Sequence, residues 1–246
     1  MKKIFFLRSK VFRVSNVKPI VEPVIEPIIE PVIEPIIEPV IEPVIEPIIE
    51  PVIQLNNDQV KLIDIVDNSK TDKNTNHSYL ELYNNLLYKK KDTAKNVLEV
   101  GIFNGGSIKL WNDYFINAKI YGVDIMNIDI VWEEIKNKEN IILYTSTDAY
   151  DEDIFNSNFL EKNIKFDFML DDGPHTLESM KQFIKLYSQV MTDDGILIIE
   201  DVQSWEWIEE LINEVPEDLK KYIKTYDLRP NKNRYDDIVF TIDKCN

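Results

Sequence analysis

Little in this chain of 246 residues supports disulfide or zinc chemistry: it has one cysteine and two histidines. A lone Cys245, next to the last residue, excludes an internal disulfide framework and a cysteine-only metal site. A reducing, cytoplasmic setting is the simplest fit. His77 and His175 are too few for a typical zinc centre. Basic residues are also scarce, 28 Lys and Arg against 44 Asp and Glu, for a net charge of −16. Such a chain repels a phosphate backbone, so nucleic acid is not expected as a partner. No apolar run is long enough to span a membrane. Glycine is rare, and none of the six occurs before position 101.

The first 100 residues divide sharply by composition. Residues 1–18 hold six Lys and Arg and no acid, a basic leader. It opens like a secretory signal, but Arg8 ends the apolar stretch Ile4-Phe5-Phe6-Leu7 far short of an h-region. Residues 19–54 are nine copies of a Pro-(Val/Ile)-(Val/Ile)-Glu tetrapeptide, the last closing on Gln54. Proline at every fourth position removes a backbone donor and blocks both helix and central strand, which leaves an extended spacer. Fully extended at about 3.1 Å per residue, it would reach on the order of 110 Å. With the leader at +6 and the repeat at −8, residues 55–246 carry −14 and form the expected folded domain.

Within that domain, short apolar runs alternate with helix-length segments. The runs are Asn96–Val100, Ile120–Asp124, Ile141–Tyr144, Phe166–Leu170 and Ile196–Ile199. Runs of four or five apolar residues joined by amphipathic stretches predict buried parallel strands with crossover helices. Tyr222–Leu228 and Asp237–Ile242 predict an antiparallel pair at the sheet edge. The fold class is therefore α/β, a doubly wound and mostly parallel sheet ending in an antiparallel hairpin.

Ligands of such sheets bind beyond the carboxyl ends of the strands. Those ends carry Glu99, Asp124, Asp148, Asp171-Asp172 and Glu200-Asp201. So many carboxylates in one cleft call for hydroxyls, a cation, or both. In Gly101-Ile-Phe-Asn-Gly105-Gly106, Phe103 replaces the glycine that brings a dinucleotide-binding backbone close to pyrophosphate. Asp124, 23 residues after Gly101, still suits a ribose diol. A ribose-bearing cation without diphosphate, S-adenosylmethionine, fits these features better than a nicotinamide dinucleotide.

The stretch Val97–Ser107, with Gly122-Val-Asp124, resembles class I methyltransferases. Thr71-Asp-Lys73, His77-Ser-Tyr79, Asp171-Asp-Gly-Pro-His175 and Ile199-Glu-Asp201 are similar to motifs of the macrocin and mycinamicin sugar O-methyltransferases. They also resemble the cephalosporin hydroxylase/rhamnosyl O-methyltransferase group. The resemblance covers about residues 70–243 and implies a magnesium-assisted transfer of methyl to the hydroxyl of a small-molecule or glycan acceptor. It further implies that Glu99, Gly101, Gly105, Asp124 and Asp148 bind S-adenosylmethionine, that Asp171, Glu200 and Asp201 hold the metal, and that His175 is the base. Trp205 and Trp207 are candidates for a sugar-stacking platform, but at i and i+2 they cannot share one helix face. Two other readings stay open, a nicotinamide oxidoreductase on the same sheet and a non-enzymatic scaffold built on the repeat. The acceptor sugar and the oligomeric state are not legible in the sequence.

Overall fold

The computed structural model describes residues 60–246, so the leader and the repeat lie outside the described residues. One seven-stranded sheet organises the domain. Its strands are β1 (Asn96–Val100), β2 (Lys119–Val123), β3 (Ile141–Tyr144), β4 (Phe166–Asp171), β5 (Met191–Ile199), β6 (Ile223–Asp227) and β7 (Ile238–Asp243). Eight helices accompany them: α1 (Leu62–Ile65), α2 (Tyr79–Leu87), α3 (Gly106–Tyr114), α4 (Glu133–Lys136), α5 (Glu152–Phe155), α6 (Leu177–Tyr187), α7 (Trp207–Glu214) and α8 (Arg229–Lys232).

The strand order is β3-β2-β1-β4-β5-β7-β6. The first five strands pair in parallel, while β7 runs antiparallel to both β5 and β6. The hairpin is therefore present, but β7 lies inside the sheet and β6 forms the edge. Burial accounts for this. All of β7 is buried, whereas β6 is only half-covered, so the more apolar strand takes the inner position. This insertion departs from the 3-2-1-4-5-6 order of dinucleotide-binding sheets. It weighs against the oxidoreductase alternative.

Strands β1 and β4 are buried on both faces, as continuous apolar runs require. On one face α6 packs Met180, Phe183, Ile184 and Tyr187 against Leu98, Met169 and Leu197. On the other, α2 and α3 pack Tyr83, Leu87, Ile108 and Trp111 against Val97, Phe168 and Ile198. The spacing of those helical residues, three or four apart, makes one apolar stripe per helix. Strand β5 begins five residues earlier than its apolar run predicts, because Met191 pairs with Phe166 ahead of a register shift. No helix among the described residues is long and apolar enough to cross a membrane.

Candidate active site at the carboxyl ends of the strands

The chain leaves β1 through Gly101, whose φ of +82° lies in the left-handed region that glycine tolerates. A Cβ there would sit 1.9 Å from the carbonyl oxygen of Asp172, so the loops after β1 and β4 touch backbone to backbone. Gly105, at φ +88°, is the N-cap of α3. Between them Phe103 takes φ +46° and leaves its ring two-thirds exposed. Asp124 fixes this loop. Its Oδ2 accepts from the Ile102 N–H at 2.8 Å and the Phe103 N–H at 2.7 Å, and its Oδ1 from Met126 N–H at 2.7 Å.

A cavity of about 350 Å³ lies over this loop, lined among others by Asn68, Thr71, Gly101, Phe103, Ser107 and Asp172. That is the lower end of the range of small-molecule sites. Of the residues expected to bind cofactor, only Gly101 lines it. Gly105 acts through the helix start, and Asp124 is occupied with loop N–H groups. Asp148 is exposed on the loop after β3 and accepts from the Tyr150 N–H at 2.9 Å. Glu99 is fully buried behind the loop, where its Oε2 accepts from the Trp111 indole at 2.9 Å. Burial pushes the Glu99 carboxyl up to about 7, against the pull of the nearby Lys73 ammonium.

The acids beyond β4 and β5 separate into an inner and an outer group. In the outer group Asp172, His175 and Asp201 each offer one ligand atom, all within 4.8 Å of one another. His175 Nε2 is 3.8 Å from Asp172 Oδ1 and 3.7 Å from Asp201 Oδ2. His175 and Asp201 both take a positive φ, +53° and +57°. For residues with a Cβ this conformation costs on the order of 1–3 kcal/mol each, and it is typical of functional sites. Burial raises the Asp201 carboxyl above the ordinary range although Tyr79, His77 and His175 oppose it. A cation would relieve that desolvation, and the two carboxylates are hard oxygen donors of the kind a divalent ion takes.

Two of the three expected metal ligands, Asp171 and Glu200, lie outside the outer group. Asp171 points away from the outer group, and its Oδ1 accepts from the Tyr150 hydroxyl and from the Gly173 N–H. Alternation along β4 explains it, because successive side chains face opposite sides and Asp172 is the one that reaches the cleft. Glu200 belongs to the inner group: its Oε1 is bonded by Lys73 and its Oε2 by the Tyr83 hydroxyl. Of the three expected metal ligands, Asp201 is the one that lies beside Asp172 and His175.

Tyr83 was not singled out from the sequence, and the His77-Ser-Tyr79 motif was noted without a role for either residue. Tyr79 and Tyr83, four apart on α2, aim at Asp201 and Glu200 from one helix face; the Tyr79 hydroxyl reaches Asp201 Oδ1 at 2.5 Å. Their i, i+4 spacing was a usable signal. The buried His77 donates its Nδ1–H to Asp237 Oδ1 at 2.6 Å and lies 3.3 Å from Asp201 Oδ1, stacked on the Tyr79 ring. It is thus a supporting residue of the acidic cluster. Trp207 packs on the core, whereas Trp205 is half exposed with the Arg229 guanidinium 5.9 Å from its ring. Arg229 and Arg234 are paired with Asp227 and Asp236.

No protein-family model matches the chain. It is similar to L-olivosyl-oleandolide 3-O-methyltransferase of Streptomyces antibioticus, 25% identical over 138 residues that cover 53% of this chain and 34% of that protein. It is likewise similar to the mycinamicin VI 2''-O-methyltransferase of Micromonospora griseorubida, 27% identical over 119 residues, 45% of this chain and 28% of that one. Among solved structures it resembles the methyltransferase MycE of the mycinamycin biosynthetic pathway, in complex with Mg, SAH and mycinamycin VI. That likeness has a TM-score of 0.58 at 18% identity and covers 76% of this chain and 55% of that one. A putative SAM-dependent methyltransferase from Streptococcus mutans aligns with a TM-score of 0.50 at 13% identity, over 67% and 48% of the two chains. The fold is that of these methyltransferases. The chain spans about a third of the length of the curated relatives it matches.

Proposed function

We propose that the domain transfers a methyl group from S-adenosylmethionine to a hydroxyl of a sugar-bearing small molecule, with a divalent cation at the acceptor. One observation carries this reading: Asp172 both lines the cavity over the glycine loop and belongs to the Asp172–His175–Asp201 cluster. The methyl donor and the cation would therefore lie side by side. Sequence similarity to sugar O-methyltransferases supports the same reading.

The backbone of the Gly101–Ser107 loop would receive the methionine part of the donor, with Asp124 holding that loop in shape. Asp172 and Asp201 would hold the cation, with His175 at its margin. When bound, such an ion lowers the pKa of an acceptor hydroxyl and orients a neighbouring one. His175 Nε2, on a side chain about one-third exposed, then accepts the hydroxyl proton. With S-adenosylmethionine bound, the hydroxyl oxygen would take the methyl carbon as its bond to sulfur breaks, with S-adenosylhomocysteine as the leaving product. The half-exposed Trp205 offers an aromatic face for a sugar.

The test is a ligand-induced melting shift with S-adenosylhomocysteine compared with NAD, followed by transfer of labelled methyl to deoxysugar glycosides with and without EDTA. Stabilisation by S-adenosylhomocysteine alone and EDTA-sensitive labelling are expected. Stabilisation by NAD alone would replace this reading with the oxidoreductase.

A further inference from the structure

Lys73 is 1% exposed, and its side chain ends between three carboxylates from three different strand ends. The ammonium bonds Asp172 Oδ2 at 2.7 Å, bonds Glu200 Oε1, and lies 3.6 Å from Glu99 Oε1. An ammonium has three donors and no acceptor, so three carboxylates are the complement that a dry site requires. Glu99 Oε1 is itself fully buried and has no hydrogen-bond partner, which leaves the Lys73 charge to compensate it. Asp172 is the hinge of the arrangement. Its Oδ2 faces inward to Lys73, and its Oδ1 faces outward to His175.

We propose that Lys73 is a resident counter-cation that fills the inner half of the acidic cleft and confines a divalent cation to the outer half. This rests on the reading of Asp172 and Asp201 as a cation site with His175 at its margin. An ammonium held on one oxygen of Asp172 repels a second cation from Glu99 and Glu200, so the inner half of the cleft takes no divalent ion. It also fixes the Asp172 carboxylate from behind, which makes Lys73 a positioning residue. The inner acids keep their geometry whether or not the outer site is filled.

The experiment is Mn²⁺ binding to the full chain, counted by electron paramagnetic resonance, together with melting temperatures in EDTA and in Mn²⁺. The variants are Lys73→Met, Lys73→Gln and Lys73→Arg. Wild type should bind one Mn²⁺ and melt within a few degrees in the two conditions. Removing the ammonium leaves the buried Glu99 and Glu200 and the partly buried Asp172 without a counter-ion. Lys73→Met and Lys73→Gln should therefore bind a second Mn²⁺, or bind one at least tenfold more tightly, and should need Mn²⁺ to regain wild-type melting. Lys73→Arg should keep the wild-type stoichiometry. The proposal is overturned if folded Lys73→Met binds Mn²⁺ as wild type does. It is equally overturned if both neutral variants stay unfolded in Mn²⁺ while Lys73→Arg folds, since the divalent ion then cannot take the place of the ammonium. A wild type that binds no Mn²⁺, beside a Lys73→Met that does, would instead sink the outer cation site and leave the role of Lys73 standing.

Discussion

Replacing Asp171 by asparagine separates the two neighbouring acids at the end of β4 and puts a number on burial. Asp171 is 2% exposed, and burial pushes its carboxyl from 3.8 up to about 7, although the Tyr150 hydroxyl and the Gly173 N–H favour the ionised form. Between pH 4 and 7 the folded protein therefore keeps a proton that the unfolded chain gives up. The stabilisation linked to that proton is fully present below pH 4 and is lost as pH rises through 7. Three pH units at 1.36 kcal/mol each make this about 4 kcal/mol. Asparagine can still accept from Tyr150 and Gly173 but carries no charge. The Asp171→Asn variant should approach wild type below pH 4 and exceed it by up to about 4 kcal/mol at pH 8. Urea unfolding of both proteins at several pH values, in EDTA and at constant ionic strength, reads the difference directly. A difference that does not change with pH, or a variant less stable at pH 8, would refute the reasoning. Mn²⁺ affinity gives a second readout: Asp171→Asn should leave it unchanged, while Asp172→Asn should lower it at least tenfold.

Other outcomes follow from the same geometry. His175→Ala should slow methyl transfer by roughly 10²–10⁴-fold at saturating cation, with the S-adenosylhomocysteine melting shift intact; a rate within threefold of wild type would remove it as base. Gly101→Ala forces a Cβ into the Asp172 carbonyl at a left-handed φ and should cost at least about 2 kcal/mol in urea unfolding. Tyr83→Phe strips Glu200 Oε2 of its buried donor and should destabilise by about 1–3 kcal/mol in urea unfolding. Removing residues 1–54 should leave the melting temperature nearly unchanged if the Pro-rich repeat is the spacer its sequence predicts; a drop of many degrees would refute that reading.

The sequence alone settled the sheet, because buried parallel strands and amphipathic crossovers leave local signatures, seen in Asn96–Val100 and in the spacing of Met180, Phe183 and Tyr187. It also located the cleft, since acids at successive strand ends must share one rim. What it could not decide was which oxygen faces which partner. Asp171 and Asp172 differ by one step of a pleat, and that step assigns one to Tyr150 and the other to His175. Glu200 and Asp201 part company for a related reason: Asp201 turns to a positive φ while Glu200 stays among Lys73 and Tyr83. A lysine in an irregular stretch, 99 residues before the aspartate it bonds, has no periodicity to betray it. Local propensity is written in neighbouring residues, whereas the pairing of buried charges is fixed only when distant segments are brought together and stripped of water.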